Sequence, residues 1–148
     1  KKLISDNVKY FQEKENNAGM NHIDFYQGFQ AEAELIKINF LAFLIDQKLK
    51  EKTVVAYGAA AKGSTMLNFC GVRQDLLKFV VDKNPAKQDM HMPGSRIPIR
   101  AEKSIRDFKP DYIVILPWNL KQEIMSQLDY IRQWGGKFVI TTPEMEIL

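Results

Sequence analysis

Apolar side chains recur every three or four residues in two segments near the start of the chain. Residues 3–14 place Ile4, Val8 and Phe11 on one helical face, and residues 24–50 continue the same spacing for longer. Both segments are predicted as helices. The second has apolar residues around more than one face, which predicts a buried helix: Phe25, Phe29, Ala33, Ile36, Phe40 and Leu44, widened by Leu41, Ile45 and Leu49.

The pattern changes after Lys52, where short β-branched runs alternate with helical stretches. The predicted strands are residues 53–57, 78–82, 112–116 and 137–141. The predicted helices between them are residues 64–70, 101–108 and 120–134. Alternation of this kind is typical of βαβ units around a parallel sheet, and the solid apolar character of the strands indicates cover on both faces.

The fold class predicted from this order is α/β: a Rossmann-like three-layer domain with a parallel sheet of four or five strands, preceded by two N-terminal helices. Residues 1–23 are interpreted as an N-terminal helix and linker, and residues 24–148 as the Rossmann-like domain. Right-handed crossovers favour the strand order 2-1-3-4 for the four predicted strands. Ligands of such sheets bind beyond the carboxyl ends of the strands, at the switch between the first and third strands.

Composition narrows the class of protein without identifying a function. The 148 residues are 45% hydrophobic and 26% charged, as expected for one folded domain with a real core. The 21 basic and 18 acidic residues are scattered, so we expect no nucleic-acid partner. No apolar run is long enough to cross a membrane, so no membrane partner is expected.

Cysteine and histidine usage bears on compartment and metal binding. The single cysteine, Cys70, rules out an internal disulfide and favours a reducing, cytoplasmic location. We interpret Cys70 as a buried packing residue, and we expect no metal site because His22 and His91 lack neighbouring ligand patterns.

A run of small residues after the first strand is the first segment that could carry chemistry. In residues 57–65, Gly58 and three alanines precede Lys62. Small side chains let a ligand approach the backbone, and the amides at the start of the following helix attract an anion. Tight strand–helix packing would explain the small residues equally, but it would not require Lys62. We therefore favour the ligand hypothesis.

Two named motifs nearly fit this run. A Walker A loop requires lysine after the second glycine, whereas Lys62 precedes Gly63. The dinucleotide fingerprint Gly-x-Gly-x-x-Gly is interpreted as incomplete, because Ala60 stands at the second glycine position and we assign no third glycine in register. Asp82, at the end of the second strand, stands where a ribose-binding acid would, so a nucleotide hypothesis remains open.

Two further connections could complete a site. Residues 82–99 form a long irregular connection with several basic side chains, which is either functional or a solvated loop. After the third strand, Asn119 is predicted as a helix N-cap, and Trp118 is either a platform for a planar ligand or a core residue. We expect residues 58–65 and 117–119 to form two walls of one pocket, with residues 83–96 as its lid.

Taken together, these segments resemble the C-terminal domain of SAM-dependent sugar C-methyltransferases. The matching stretches are residues 57–68, Val81, Asp82, Pro85, Lys87, Pro93, Gly94, residues 97–99, 110–112 and 116–120, Glu123 and Ile124. The resemblance extends from about residue 24 to residue 143. It departs from the family pattern at Ser64 and Asp89, where asparagine and glycine are expected.

The resemblance implies a substrate-binding role within a larger enzyme. It implies a nucleotide-linked keto-sugar as ligand, a SAM-binding domain in the same full-length protein as partner, and SAM and zinc as cofactors held outside this chain, which would hold none itself. The implied or suspected substrate-binding residues are Gly58, Ala59, Ala60, Lys62, Gly63, Ser64, Thr65, Asn68, Asp82, Lys87, Pro117, Trp118 and Asn119. No catalytic residue is assigned. The alternatives are an independent NAD- or CoA-binding module and a structural domain for docking or homodimerisation.

Overall fold

The computed structural model describes residues 5–148 and divides the chain into two compact units, one ending at Glu34 and one comprising Leu35–Leu148. The helices are α1 (Asp6–Asn17), α2 (Phe29–Leu49), α3 (Ala61–Cys70), α4 (Lys103–Phe108) and α5 (Lys121–Gln127). The strands are β1 (Val54–Tyr57), β2 (Val80–Val81), β3 (Ile99–Arg100), β4 (Tyr112–Ile115), β5 (Lys137–Ile140) and β6 (Glu146–Ile147). Short 3₁₀ turns span Ile23–Tyr26, Pro85–Lys87, Trp118–Leu120 and Asp129–Trp134.

The first unit consists of α1, a 3₁₀ turn and the start of α2. The first predicted helix is present but runs to Asn17; its predicted start, including Ile4, lies outside the described residues. None of the described residues of this unit is buried. The Tyr26 hydroxyl donates a 2.8 Å hydrogen bond to the Met20 carbonyl, which closes the turn between the helices.

The second predicted helix differs from the prediction in its start and in its burial. It begins at Phe29 because Gly28, with a φ of 91°, separates it from the turn at Ile23–Tyr26. The prediction of a buried helix was wrong. Only the face that carries Phe40, Phe43 and Leu44 is buried, and the following large side chains of α2 are exposed: Phe29, Leu35, Ile38, Ile45 and Leu49. The sheet can cover one face of a helix, so the apolar residues on the opposite face stay in solvent.

The second unit is built on a six-stranded sheet of order β3-β2-β1-β4-β5-β6. The first five strands in the chain pair in parallel, and β6 runs antiparallel to β5. The four predicted strands correspond to β2-β1-β4-β5, so their predicted order is confirmed. The other two strands, β3 and β6, each contain one apolar and one charged residue and so form no apolar run, whereas the equally short β2 continues the run from Phe79.

Alternating side chains of the strands divide the core into two layers, one on each face of the sheet. Val54 and Ala56 of β1 pack with the buried residues of α2 and α3, whereas Val55 and Tyr57 pack with those of α4 and α5. Helices therefore cover both faces, which confirms the predicted three-layer α/β architecture. None of the helices in residues 5–148 is long and apolar enough to cross a membrane.

Several helix boundaries differ from the predictions. Helix α3 begins at Ala61, three residues before the predicted start at Ser64. The predicted helix at residues 120–134 is instead α5, which ends at Gln127, followed by the 3₁₀ turn Asp129–Trp134. The earlier start of α3 matters for the site because it places Lys62 and Gly63 in the first turn of a helix rather than in a loop.

Candidate functional site

The connection from β1 to α3 is a three-residue loop, Gly58, Ala59 and Ala60, at the carboxyl edge of the sheet. Gly58 adopts a φ of 100°, and a Cβ atom there would lie 2.5 Å from Cδ of Pro117. The Gly58 amide donates a 2.7 Å hydrogen bond to the Val81 carbonyl. The loops after β1 and β4 are therefore in direct contact. Only glycine fits both this contact and the positive φ.

Gly63 provides a second close approach and corrects the motif interpretation. Counted from Gly58, Ala60 is the third residue and Gly63 the sixth, so Gly63 does stand at the third glycine position. A Cβ atom at Gly63 would lie 2.8 Å from Cδ1 of Leu116 and 3.1 Å from the Gly58 carbonyl oxygen. The absence of a third glycine was therefore a wrong interpretation: Gly63 provides the close helix–strand packing that this position serves in dinucleotide-binding folds.

Asp82 holds the three-residue loop through its carboxylate. Its Oδ2 accepts a 2.8 Å hydrogen bond from the Ala59 amide and lies 3.2 Å from Nζ of Lys87. Lys87 also donates a 2.8 Å hydrogen bond to the Ala59 carbonyl, and Oδ1 of Asp82 accepts one from the Asn84 amide. We call Asp82, Lys87 and Ala59 the Asp82 clamp. Its carboxylate is engaged by protein groups on both oxygens.

Lys62 projects from the first turn of α3 to the loop after β4. Its Nζ donates a 2.8 Å hydrogen bond to Oδ1 of Asn119 and lies 4.7 Å from the centroid of the Trp118 ring. We call Lys62, Trp118 and Asn119 the Lys62 cluster. Trp118 is 39% exposed, so it is not a core residue.

The predicted capping role of Asn119 was wrong. Asn119 lies inside the 3₁₀ turn Trp118–Leu120, Leu120 occupies the N-cap position of α5, and no side-chain cap is formed. The turn intervenes between strand and helix, so the Asn119 side chain is directed to Lys62 instead of to the helix start.

A cavity of about 530 Å³ opens on the β2–β3 side of the three-residue loop. Its walls are the three-residue loop, the start of α3, the segment that follows β2, and strand β3. The lining residues are Ala59, Ala60, Ala61, Ser64, Ala86, Lys87, Met90, His91, Met92, Pro93 and Ile99. The loops after β1 and β4 do meet, as expected, but residues 117–119 do not line this cavity.

The outer wall of the cavity is hydrogen-bonded in place. Nδ2 of Asn68 donates to the carbonyls of Ser64 (2.8 Å) and Pro93 (2.9 Å), which ties the wall to α3. Gly94 has a φ of 75°, and a Cβ atom there would overlap the Asn68 side chain. The Met92 amide donates a 2.8 Å hydrogen bond to the Ile97 carbonyl, which closes a hairpin. The Met92–Ile97 part of the segment expected to be a lid thus forms a hydrogen-bonded wall against α3.

The predicted site residues fall into three groups. Those lining the cavity are Ala59, Ala60, Ser64 and Lys87, and those of the Lys62 cluster are Lys62, Trp118 and Asn119. Those that shape the loops and wall are Gly58, Gly63, Asn68, Asp82 and Pro117. Thr65 is exposed on α3 and belongs to none of these groups. Seven lining residues were not among the predicted site residues: Ala61, Ala86, Met90, His91, Met92, Pro93 and Ile99. Six of them have small or apolar side chains that carry no chemical signal, and His91 was weighed as a metal ligand and left unassigned.

Neither thiol nor metal chemistry is indicated at this site. Cys70 is 3% exposed, as its interpretation as a packing residue requires, and burial raises the pKa of its thiol to about 11. The thiolate is therefore scarce near neutral pH. Within residues 5–148, no group of three or more histidine, cysteine, aspartate or glutamate side chains could hold a metal ion.

Comparison with known proteins identifies the class of domain. The family model described as the C-methyltransferase C-terminal domain matches residues 1–143. The chain therefore belongs to the family of C-methyltransferase C-terminal domains.

The chain is also similar to individual proteins. It is 30% identical over 135 residues to the C-methyltransferase NovU of Streptomyces niveus, a match that covers 91% of this chain and 32% of that protein. The chain thus spans about a third of the length of this relative. Among solved structures, it is similar to UDP-D-quinovosamine 4-dehydrogenase from Vibrio fischeri, with a TM-score of 0.43, 17% identity, and cover of 60% of this chain and 76% of that one.

Proposed function

We propose that this domain binds the substrate of a SAM-dependent C-methyltransferase, and that the substrate is a nucleotide-linked keto-sugar. The observation that carries the proposal is the cavity of about 530 Å³ at the carboxyl edge of the sheet, directly beside the first turn of α3, the turn that carries Lys62. This edge is where ligands of open α/β sheets bind, and the volume is within the usual range for small-molecule sites.

The first turn of α3 supplies donors for a diphosphate. The amides of Ala61, Lys62 and Gly63 precede the first α-helical hydrogen bond, from Ser64 to Ala60, and the N-cap residue Ala60 makes no side-chain cap. Such amides, together with the positive end of the helix dipole, favour an anion.

Lys62 adds a full positive charge to the same turn. Its hydrogen-bond partner Asn119 is a neutral amide, and in residues 5–148 it has no carboxylate within ion-pair distance. Lys87 differs, because its charge is offset by Asp82. Lys62 is therefore the cation best placed to contact a ligand phosphate.

The residues that the structure describes, 5–148, do not fit SAM, NAD or zinc. Asp82 stands where an acid would bind a ribose, but its carboxylate is engaged in the Asp82 clamp, and the second glycine position carries Ala60. The single cysteine is buried. We therefore assign SAM and zinc to the part of the enzyme outside this chain and assign no methyl-transfer step to these residues.

Calorimetric titration of the chain tests the proposal. TDP-glucose should bind as a stable analogue of the keto-sugar substrate, whereas SAM, NAD and CoA should release no binding heat. Binding of NAD or CoA in preference to TDP-glucose would support an independent nucleotide-binding module instead. Absence of binding by all four would favour a structural role.

Replacing Lys62 tests the charge at α3. Lys62→Ala should weaken TDP-glucose binding by about ten- to a hundredfold, since a charge-assisted contact contributes about 1.5–3 kcal/mol. Lys137→Ala is the matched control, because Lys137 is exposed at the opposite, amino end of β5. An unchanged dissociation constant in Lys62→Ala would show that Lys62 is only solvated.

A further inference from the structure

The lining of the cavity is mainly apolar. Eight of its eleven residues are alanine, methionine, proline or isoleucine, and the polar side chains are those of Ser64, Lys87 and His91. A sugar ring carries hydroxyl groups around its whole rim, and each one buried without a partner costs free energy. A planar base instead buries two apolar faces and presents polar atoms only at its edge. This lining therefore matches a base better than a sugar.

The charge of the cavity also favours an uncharged occupant. Its one cation, Lys87, is neutralised by Asp82 at 3.2 Å and also donates to the Ala59 carbonyl. A phosphate placed there would have to displace these contacts. The unneutralised cation, Lys62, contacts residues on the β4 side of the three-residue loop instead. The first turn of α3 begins directly after this loop, between the two regions.

Trp118 is the other candidate platform for a base, and the Lys62 ammonium lies over its ring. The 4.7 Å distance from Nζ to the ring centroid is a cation–π contact that covers this face of the indole. A base could stack there only after Lys62 had moved away, which would also break the hydrogen bond to Asn119. The cavity needs no such rearrangement, because Asn68 already holds its outer wall to α3.

From these contacts we infer the orientation of the ligand: the nucleobase occupies the cavity between α3 and the Met90–Met92 wall, the diphosphate crosses the first turn of α3, and the sugar extends towards Trp118. This inference rests on the proposed function and adds the assignment of each end of the ligand. Ser64 and His91 are the cavity side chains able to hydrogen-bond the edge of the base.

Methionine methyl resonances report the position of the base directly. Met90 and Met92 line the cavity, whereas Met125 packs on the opposite face of the sheet. In a ¹³C-methyl-methionine sample, TDP-glucose and TMP should both produce ring-current shifts at Met90 and Met92 and none at Met125. Glucose 1-phosphate, which has no aromatic ring, should produce no comparable shifts.

A cavity-filling variant provides an independent measurement. Ala86 is exposed, and its backbone amide donates to Oδ1 of Asn84, a contact that does not depend on its side chain. Ala86→Phe should weaken TDP-glucose binding at least about tenfold and leave pyrophosphate binding unchanged. Ala42→Phe makes the same change at an exposed alanine of α2 that does not line the cavity, and it should bind both as the unaltered chain does. Circular dichroism confirms that each variant is folded.

The outcomes separate this inference from the proposed function. If TDP-glucose binds while the Met90 and Met92 resonances do not move, or if Ala86→Phe binds it normally, the base lies elsewhere and the orientation is wrong although the function stands. If TDP-glucose does not bind at all, the proposed function fails first. Selective shifts at Met90 and Met92, with loss of affinity in Ala86→Phe alone, establish the orientation.

Discussion

The amino and carboxyl edges of the sheet each carry an aspartate paired with a lysine, but the surroundings of the two pairs differ. At the amino edge, Oδ2 of Asp111 accepts a 2.8 Å hydrogen bond from the Thr53 amide, and Oδ1 lies 2.9 Å from Nζ of Lys52. At the carboxyl edge, Asp82 accepts a 2.8 Å hydrogen bond from the Ala59 amide and pairs with Lys87. Each aspartate thus joins its own strand to the chain beside β1 and is paired with a lysine.

What differs between the two edges is the backbone around the aspartate. Asp111 is held by side chains and by the start of β1, and its side chain is 33% exposed. Asp82 is 13% exposed beside a loop whose glycine touches Pro117 and a helix start that faces a cavity. An aspartate–lysine pair at a strand end is therefore not evidence of a binding site by itself. The backbone beside the pair determines whether a ligand can bind there.

The largest expected loss of stability comes from adding a side chain at Gly58, which lies against Pro117 at the carboxyl edge. Gly58→Ala should lower the free energy of unfolding by about 2–4 kcal/mol, because it adds a methyl group against Pro117 to a positive φ. Gly71→Ala is the matched control: Gly71 has a φ of 70° and nothing within 4 Å, so it should lose only about 1 kcal/mol. Urea denaturation measures both. Equal losses would mean that the contact with Pro117 is easily relieved.

Removing each aspartate separates the two edges by function. Asp82→Ala should destabilise the domain by about 1.5–3 kcal/mol, since it removes hydrogen bonds to a largely buried carboxylate. It should also weaken TDP-glucose binding because the three-residue loop is released. Asp111→Ala should be less destabilising and should leave binding unaltered. The comparison would break down if Asp111→Ala reduced the affinity as strongly as Asp82→Ala.

The smallest effect is a pH dependence at the amino edge. Burial opposes ionisation of Asp111, but hydrogen bonds from Thr53 and Lys52 and the Lys52 charge outweigh it, so its pKa is below the ordinary value of 3.8. A lowered carboxyl pKa stabilises the fold above the unfolded-state value, and this contribution is lost as the pH falls through the folded-state value. Denaturation midpoints measured from pH 5 downwards should therefore fall less in Asp111→Asn than in the unaltered chain. Parallel curves would show that Asp111 contributes nothing to acid stability.

The arrangement of the main strands could be predicted from the sequence because each is a solid apolar run. The strands β3 and β6 could not, since each has one apolar and one charged residue, whereas the equally short β2 continues an apolar run from Phe79. The exposed outer face of α2 was also unpredictable, because an apolar residue such as Ile38 has the same pattern whether or not another element covers it.

The site shows a similar division. Lys62 could be singled out because tight packing of the small residues does not require a charge, and Asp82 because it stands where an acid would bind a ribose. The partner of Asp82 could not, because the Ala59 amide reaches it only through the pairing of β1 with β2. The methionines of the cavity wall look like ordinary core residues until the hairpin at Met92 places them beside α3.

That hairpin also covers the outer edge of β3. The Asp89 amide donates to the Ile99 carbonyl at 3.0 Å, and the Ile99 amide donates to the Met90 carbonyl at 2.8 Å. The opposite edge strand, β6, has only two residues. Aggregation by edge-to-edge strand addition requires a long row of free amides and carbonyls. Concentrated solutions of the domain should therefore resist fibril formation through the β3 edge.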